Sequence, residues 1–267
     1  MDDCYSREKI TNTLYGHIPE LIINGKLESS LNLEINSKNS HIMLCGNPNM
    51  VRDTYECLNK KYFMVKNYQK SPGHITTAQN VDIHISGSFT GEISAYMLQE
   101  FGTKYVIIGH AERRRFHNED QKIITKKLLI LKQYNLKPIL CIGEIYQNYR
   151  NKEIKNVCIK QIGPILKVLG IESFKEVIIA YEPVWAIGTG KTPPVEHIQN
   201  VHLHIRSYLS KYDSNISKNI ILQYGGSVNS KNALNILLQP DVDGILLGKA
   251  SVHLEEFLSI VRIANNL

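Results

Sequence analysis

The sequence predicts one (β/α)8 barrel of the α/β class. Its 267 residues match the length of a single domain of this kind. Short apolar runs without alternation, typical of buried parallel strands, recur along the chain and are separated by helical patterns. Glycines or polar residues follow most of these runs, as they do at the carboxyl ends of barrel strands, where catalytic residues lie. A doubly wound sheet has the same local pattern and is the alternative, but these strand ends favour the barrel.

Eight strands are predicted, each from a run of apolar or β-branched residues that stops at a glycine or at a polar or aromatic residue. They cover residues 21–23, 41–45, 74–78, 105–108, 138–142, 176–180, 219–223 and 243–247. The sixth run stops just before Glu182, and Pro183 cannot continue a central strand. Glu182 is therefore expected at the carboxyl end of a buried strand, facing a crevice.

Helices are predicted between the strands from apolar residues at helical spacing. They cover about 29–39, 49–61, 91–101, 118–135, 154–166, 194–211, 231–238 and 254–263. Thr90 is expected to cap the helix that starts at residue 91. Asn118 and Gln121 are expected to form a capping box at the start of the next one.

Residues 1–19 are polar and unpatterned and are expected to form an amino-terminal extension, with residues 20–267 as the catalytic barrel. No apolar run approaches the ~18 residues of a membrane span, and the first twenty residues lack the apolar core of a secretory signal. The five cysteines are scattered and form no C-x-x-C pair, which fits a reducing compartment. A cytoplasmic protein without membrane contact is expected.

The charge balance favours a small anionic ligand over nucleic acid. The net charge is +6, and the basic residues are spread along the chain without a dense run. With 43% hydrophobic and 21% charged residues the composition is that of a globular protein. A mildly positive cleft for a phosphorylated anion is a suitable use of the excess charge.

Polar residues and glycine turns at the strand ends suggest proton-transfer chemistry. The candidates are Asn24, Lys26, His110, Glu112, Glu182, Ser227 and Gly248. They have no metal-ligand spacing, no Ser-His-Asp arrangement and no dinucleotide fingerprint, so neither a metal nor a cofactor is expected. A carboxylate, an imidazole and an ammonium together suit removal of a proton next to a carbonyl, with glycine turns as the phosphate seat. The reaction class is the isomerisation of a small phosphorylated aldose or ketose.

The loop after Glu182 has the composition of a lid. It starts with the stiff residues Pro183, Val184 and Trp185 and ends with the flexible residues Gly188, Thr189 and Gly190. The segment that ends in Lys191 is not a phosphate-binding P-loop, because position 185, where the first glycine is required, is tryptophan.

Each candidate also has a plainer interpretation. The lid can be an ordinary strand-to-helix loop, and His110 can be a satisfied core histidine. Lys26 can be a solvated loop lysine, and the glycines before Ser227 can serve only a tight turn.

The chain resembles the triosephosphate isomerase family from roughly residue 78 to residue 251. The matching motifs are AQN at 78–80, SGSFTGEIS at 86–94, IGHAERR at 108–114, CIGE at 141–144, AYEPVWAIGTGKT at 180–192, YGGSV at 224–228 and DVDG at 241–244. The resemblance implies a TIM barrel that interconverts dihydroxyacetone phosphate and D-glyceraldehyde 3-phosphate. It also implies a homodimer, in which Thr90 lies near the active site of the partner subunit.

The resemblance further implies roles for individual residues. Glu182 would be the base, His110 the neutral electrophile and Lys26 the catalytic lysine. Glu112 would support the site through hydrogen bonds, and the lid would exclude water. The substrate would be bound by Asn24, Lys26, Gly188, Ser227, Gly248 and Lys249, the last four through backbone amides at its phosphate.

Three positions depart from the family pattern. The first loop, Asn24-Gly25-Lys26, lacks the usual tryptophan, Ala111 replaces a serine beside His110, and Lys249 replaces a second glycine. These departures leave two alternatives open: a related tetrulose-phosphate isomerase, or a phosphate-binding barrel with impaired catalysis.

Overall fold

The computed structural model describes Gly25, Lys26, Ser29, residues 76–150 and residues 153–267. The chain divides into two compact units, one of Met1–Thr77 with Glu100–Gly102 and one of Ala78–Gln99 with Thr103–Leu267. The predicted extension, the first two strands and nearly all of the first two helices lie outside the described residues.

In the first unit, Lys26 lies in a helical turn, where the sequence predicts a loop after a strand. Gly25 has a φ of +73°, and the backbone N–H and the hydroxyl of Ser29 both donate to its carbonyl oxygen, at 3.0 and 2.9 Å. The Lys26 side chain is exposed.

Six strands are described, and they match the last six of the eight predicted. They are β1 (Thr76–Ala78), β2 (Thr103–Ile108), β3 (Lys137–Ile142), β4 (Ile178–Tyr181), β5 (Ile221–Tyr224) and β6 (Gly244–Ile245). They follow one another in the sheet in chain order, and the neighbours from β2 to β6 are parallel. A doubly wound sheet reverses its strand order at a switch point, which these six strands do not contain.

Both faces of the sheet are buried, as a parallel sheet requires. One face carries a cluster of Ile107, Ile139, Cys141, Ile178 and Ala180. The alternate residues of the same strands, among them Ile108, Leu140 and Ile179, pack in a larger cluster with helix residues. Burial on both sides explains why the strand runs show no alternation of apolar and polar residues in the sequence.

Nine α-helices are described, several of them shorter than predicted. They are α1 (Ala95–Glu100), α2 (Ala111–Phe116), α3 (Gln121–Gln133), α4 (Tyr146–Arg150), α5 (Ile154–Leu169), α6 (Val195–Ser210), α7 (Ser214–Asn219), α8 (Ala233–Leu237) and α9 (Leu254–Asn265). Short 3-10 helices cover Ile171–Phe174 and Lys249–Val252. Within the described part of the chain, no helix is long and apolar enough to span a bilayer.

Two predicted helix caps are wrong. Thr90 lies in a turn with Gly91 at φ +93°, and α1 starts later, after Ser94, whose hydroxyl accepts from the N–H of Met97 at 3.3 Å. Asn118 has a φ of +53°, in the left-handed region, whereas an N-cap residue is usually extended. Asp120 caps α3 instead, by accepting from the N–H of Ile123 at 2.9 Å.

Candidate active site

The ends of β3, β4 and β5 lie level and bring the loops that follow them to one edge of the sheet. Ile142 is in register with Tyr181, and Tyr181 with Tyr224. The backbone N–H of Glu182 donates to the Ile142 carbonyl at 2.7 Å, which extends the ladder by one bond beyond β4. Glu182 thus begins the loop at the carboxyl edge, as the sequence predicts, and it is only 3% exposed.

Two glycines make room for Glu182. A Cβ at Gly143 would stand 1.8 Å from the backbone oxygen of Glu182, and one at Gly225 would stand 2.6 Å from its Cγ. Neither distance is possible for a real side chain, and the first clash is with backbone, which cannot swing aside. The loops after β3 and β5 must therefore carry glycine for the carboxylate to occupy this position.

Replacing Gly143 by alanine is expected to lower the free energy of unfolding by about 3 kcal/mol or more, because overpacking against backbone has no inexpensive relaxation. For a domain of this size that corresponds to a fall in Tm of roughly 6–12 °C, measurable by circular dichroism. The matched control is Gly163→Ala inside α5, where the nearest atom to an added Cβ is the Tyr208 hydroxyl oxygen at 3.4 Å. If the two variants unfold at the same temperature, the account of the Gly143 backbone contact is wrong.

Burial makes Glu182 an unusually strong carboxylate base. Desolvation raises the pKa of Glu182 to about 8, against the opposing effects of a hydrogen bond from the Cys141 thiol and the positive charge of Arg114. Its Oε2 atom has no hydrogen-bond partner among the described residues, so it is available to accept a proton. A raised pKa together with an unengaged oxygen is the state that a general base requires.

His110 lies beside this oxygen, and its hydrogen bond selects one tautomer of the neutral ring. Its Nε2 atom is 3.8 Å from Oε2 of Glu182. Its Nδ1 atom accepts the backbone N–H of Glu112 at 3.3 Å as the N-cap of α2, so Nδ1 carries no proton and the neutral ring has its proton on Nε2. Burial lowers the pKa of His110, partly opposed by the charge of Glu112. A neutral imidazole therefore points its N–H toward the carboxylate.

The other two predicted catalytic residues are Glu112 and Lys26. The Glu112 side chain is 72% exposed, and its carboxylate is 3.9 Å from His110 Nδ1, so Glu112 supports the imidazole through its backbone N–H. Lys26 belongs to the first of the two compact units, and Asn24 lies outside the described residues. The structure thus brings together Glu182, His110 and the backbone of Glu112.

The predicted lid, residues 183–190, is held at its amino end by Glu144. The Glu144 side chain is buried, and its Oε1 atom accepts the indole N–H of Trp185 at 2.9 Å and the hydroxyl of Tyr181 at 3.2 Å. Its carbonyl oxygen accepts the N–H of Val184 at 2.9 Å. Burial raises the pKa of Glu144, and the hydrogen bonds from Trp185 and Tyr181 oppose that rise.

The rest of the lid is a series of turns. The N–H of Ala186 donates to the carbonyl of Pro183 at 2.8 Å, and the Thr189 hydroxyl lies 3.2 Å from the carbonyl of Ala186. Gly188 and Gly190 are exposed and have φ values of +65° and +76°, which favour glycine.

The candidate phosphate-binding residues lie in loops after β4, β5 and β6. Just beyond the lid, the Thr192 hydroxyl donates to the carbonyl of Ser227 at 2.9 Å, which ties the end of the lid loop to the loop after β5. Gly248 precedes the 3-10 helix that begins with Lys249, and both residues are exposed.

Thr90 lies in an exposed loop rich in apolar side chains. The loop and the start of α1 expose Ile85 (55%), Phe89 (41%), Ile93 (49%), Tyr96 (54%) and Met97 (44%). The ring of Phe89 stacks on His84, with centroids 3.7 Å apart. Several exposed apolar side chains within one short segment are typical of a protein interface.

Sequence reasoning missed two positioning residues. Glu144 follows a strand end just as Glu182 does, so the same rule predicts its position, but its contact with Trp185 is evident only from the fold. Arg114 spans the loops beneath the site, donating to the carbonyls of Gly109 at 2.6 Å and Cys141 at 3.1 Å. Only the fold reveals that role, since the second carbonyl is 27 residues away. In the described part of the chain, no cluster of three acidic, histidine or cysteine side chains has the arrangement of a metal site.

Comparison with known proteins identifies the family of this site. A family model described as triosephosphate isomerase matches residues 51–264. The chain belongs to the triosephosphate isomerase family. The protein named triosephosphate isomerase from Wigglesworthia glossinidia brevipalpis is 51% identical over 238 residues, which is 89% of each chain. The one from Blochmanniella floridana is 45% identical over 207 residues, 76% of this chain and 79% of the relative.

A third relative agrees. The triosephosphate isomerase of Escherichia coli O1:K1 / APEC is 49% identical over 187 residues, 70% of this chain and 73% of its own. Family membership confirms the resemblance inferred from the motifs, and with it the (β/α)8 fold class. The parallel strands β2 to β6, in chain order, are the described part of that barrel.

Proposed function

We propose that the chain is an intramolecular isomerase that interconverts dihydroxyacetone phosphate and D-glyceraldehyde 3-phosphate through an enediolate. The observation that supports this most is the buried Glu182 carboxylate 3.8 Å from Nε2 of a neutral His110. Relatives named triosephosphate isomerase, about half identical to this chain, support the same reaction. It is a step shared by glycolysis and gluconeogenesis.

The chemistry requires one base and one electrophile. Glu182 removes a proton from the carbon beside the carbonyl, and the Nε2–H of His110 donates to the oxygen on which negative charge develops. This pairing of a carboxylate with a neutral imidazole is already known for the family. Glu182 then returns the proton to the neighbouring carbon, while a hydroxyl proton moves from one oxygen to the other. Atoms and charge balance without any electron acceptor.

The lid keeps water away from the enediolate. In our proposal residues 183–190 close over the bound substrate, and Gly188 and Gly190 supply the backbone freedom for that movement. Exclusion of water prevents loss of phosphate from the intermediate and strengthens each hydrogen bond in the site. The tie between Thr192 and Ser227 supports a joint role of the lid and the loop after β5 at the phosphate.

The substrate phosphate is proposed to bind the backbone amides of Gly188, Ser227, Gly248 and Lys249. Backbone N–H groups of glycine turns are suited to an anion, and a second glycine is not needed for the amide of residue 249. Lys26 is proposed as the cation that stabilises the enediolate, with Asn24 beside it. Residues 20–267 would then form the catalytic barrel, preceded by the extension 1–19.

A homodimer is proposed, with the loop around Thr90 in the interface. The exposed apolar side chains of residues 85–97 support a partner on this surface, and a second copy of the chain is the partner implied by the family. A protein that elutes as a monomer at micromolar concentration in size-exclusion chromatography with light scattering would contradict it. The buried thiols of Cys141 and Cys158 are consistent with a cytoplasmic location.

The pH dependence of kcat/KM is expected to show an acid limb centred near pH 8, because the raised pKa of Glu182 leaves the base protonated below that value. Activity is lost as the pH falls through this range. The phosphate ester of the substrate titrates near pH 6 and forms a separate limb. An acid limb with its midpoint near pH 4.5, the ordinary value of a glutamate, would contradict the effect of burial.

The proposed function is tested by kcat/KM for the purified protein on three-carbon and four-carbon phosphorylated substrates. We expect the triose phosphates to be converted at least tenfold more efficiently. Preference for the tetrulose phosphate would favour the related isomerase. Binding of inorganic phosphate without turnover of either substrate would favour a barrel that only binds phosphate.

A further inference from the structure

A cluster of aromatic rings encloses the tryptophan at the start of the lid. The Tyr149 ring lies against the Trp185 indole, with centroids 4.4 Å apart and an interplanar angle of 42°. Tyr146 approaches the same indole edge-on at 6.0 Å. The two tyrosines are three residues apart on α4 and therefore share one helix face. The indole is thus held at its N–H by Glu144 and on its ring by α4.

The same Tyr149 ring also contacts a residue beyond the other end of the lid. His197, in the first turn of α6, stands edge-on to Tyr149 with centroids 5.3 Å apart. The Nε2 atom of His197 is 3.5 Å from the hydroxyl of Tyr181, which itself donates to Glu144. One ring on α4 therefore contacts both Trp185, near the start of the lid, and His197, in the helix that follows it.

We infer that Tyr149 is a positioning residue that fixes the start of the lid by packing between Trp185 and His197 of the following helix. The inference rests on the proposed isomerase function, because it assigns Tyr149 to the movement of that lid. Tyr149 touches neither Glu182 nor His110 in any contact described above. It acts through Trp185 by restricting the indole to the orientation in which its N–H reaches Glu144. Fixing the start of a lid reduces the conformational entropy lost when it closes.

The single tryptophan of the chain provides a direct readout. Since Trp185 is the only tryptophan among the 267 residues, all indole fluorescence comes from the lid. Tyr149→Ala is expected to shift the emission of the free protein to longer wavelength, because removing the ring exposes the indole to water. It is also expected to lower kcat/KM about three- to tenfold, the range that corresponds to loss of an aromatic pair.

Two variants separate positioning from general destabilisation. Tyr149→Phe keeps the ring and is expected to restore both the emission maximum and kcat/KM to wild-type values. Tyr212→Ala removes a ring from the Tyr208–Tyr212 pair at the carboxyl end of α6 and is expected to change neither. Circular dichroism spectra of all variants verify that the fold is retained.

The two proposals fail in different ways. Unchanged emission and unchanged kcat/KM in Tyr149→Ala would overturn the inference about Tyr149. A change of the same size in Tyr149→Phe or in Tyr212→Ala would overturn it as well. A wild-type protein that does not isomerise triose phosphates would overturn the proposed function, whereas the emission of the free protein requires no substrate and would still test the packing of Tyr149 on Trp185.

Discussion

Replacing Glu182 by glutamine is expected to lower kcat about 10³-fold, the contribution of a positioned general base. Glutamine has the shape of glutamate and fits beside Gly143 and Gly225, but its amide cannot accept the carbon-bound proton. KM is expected to change little, because in the proposed binding mode the amides at the phosphate, and not the base, make most of the substrate contacts. The measurement is steady-state kinetics in both directions. The matched control is Glu196→Gln, an exposed acid at the start of α6, which is expected to leave kcat unchanged.

The same variant is expected to be more stable than the wild type at neutral and alkaline pH. The folded-state pKa of Glu182 lies near 8, above the ordinary value of 4.5, so folding favours the neutral acid. The stability that the neutral Glu182 carboxyl group contributes is fully present below pH 4.5 and is lost as the pH rises through about 8. Glutamine stays neutral, so we expect it to raise the free energy of unfolding by roughly 1–3 kcal/mol at pH 8 and by little at pH 4. A variant less stable than the wild type at pH 8 would contradict the conclusion that burial destabilises the charged carboxylate of Glu182.

Replacing His110 by glutamine is expected to lower kcat by about 10² to 10³-fold, the usual loss when one donor to a developing oxyanion is removed. The amide still occupies the end of α2, but it cannot present an imidazole Nε2–H toward the substrate oxygen near Glu182. The comparison is His117→Gln, an exposed histidine at the opposite end of the same helix, for which wild-type kcat is expected. Equal losses in the two variants would mean that the effect comes from the helix and not from the imidazole.

The strands and the position of Glu182 could be predicted because both follow from local rules. Unbroken apolar runs indicate strands that are buried on both faces, and the six described strands lie within two residues of the predicted starts. A carboxylate at the end of such a run must face the carboxyl edge of the sheet. The position of Glu182 could therefore be predicted without knowledge of distant residues.

The predictions of two N-cap residues were wrong because several suitable capping residues lie within a few positions of each other. Asn118 and Asp120 are both good caps by type, and the choice between them is set by the left-handed backbone at Asn118. Thr90 was displaced from its predicted role by the turn at Gly91. Local propensity cannot distinguish these choices, because tertiary structure decides them.

The surroundings of the lid could not be predicted because they depend on contacts between distant segments. Glu144 acquires its role from Trp185, 41 residues later in the chain. Tyr149 lies on a five-residue helix that no periodic pattern predicts, and its partners Trp185 and His197 belong to the loop after β4 and to α6. Lys26 belongs to the first unit, so the sheet of the second unit gives no information about its role.

The most direct test of the central claim, that Glu182 transfers the proton between adjacent carbons, is isomerisation of D-glyceraldehyde 3-phosphate in D₂O followed by proton NMR. A proton held on a carboxylate exchanges with solvent, so the wild type is expected to place deuterium on the carbon that receives it. In Glu182→Gln, turnover and deuterium incorporation are expected to fall together by about 10³-fold. Conversion by the wild type with complete retention of the substrate hydrogen, or a glutamine variant within tenfold of the wild-type rate, would contradict the account.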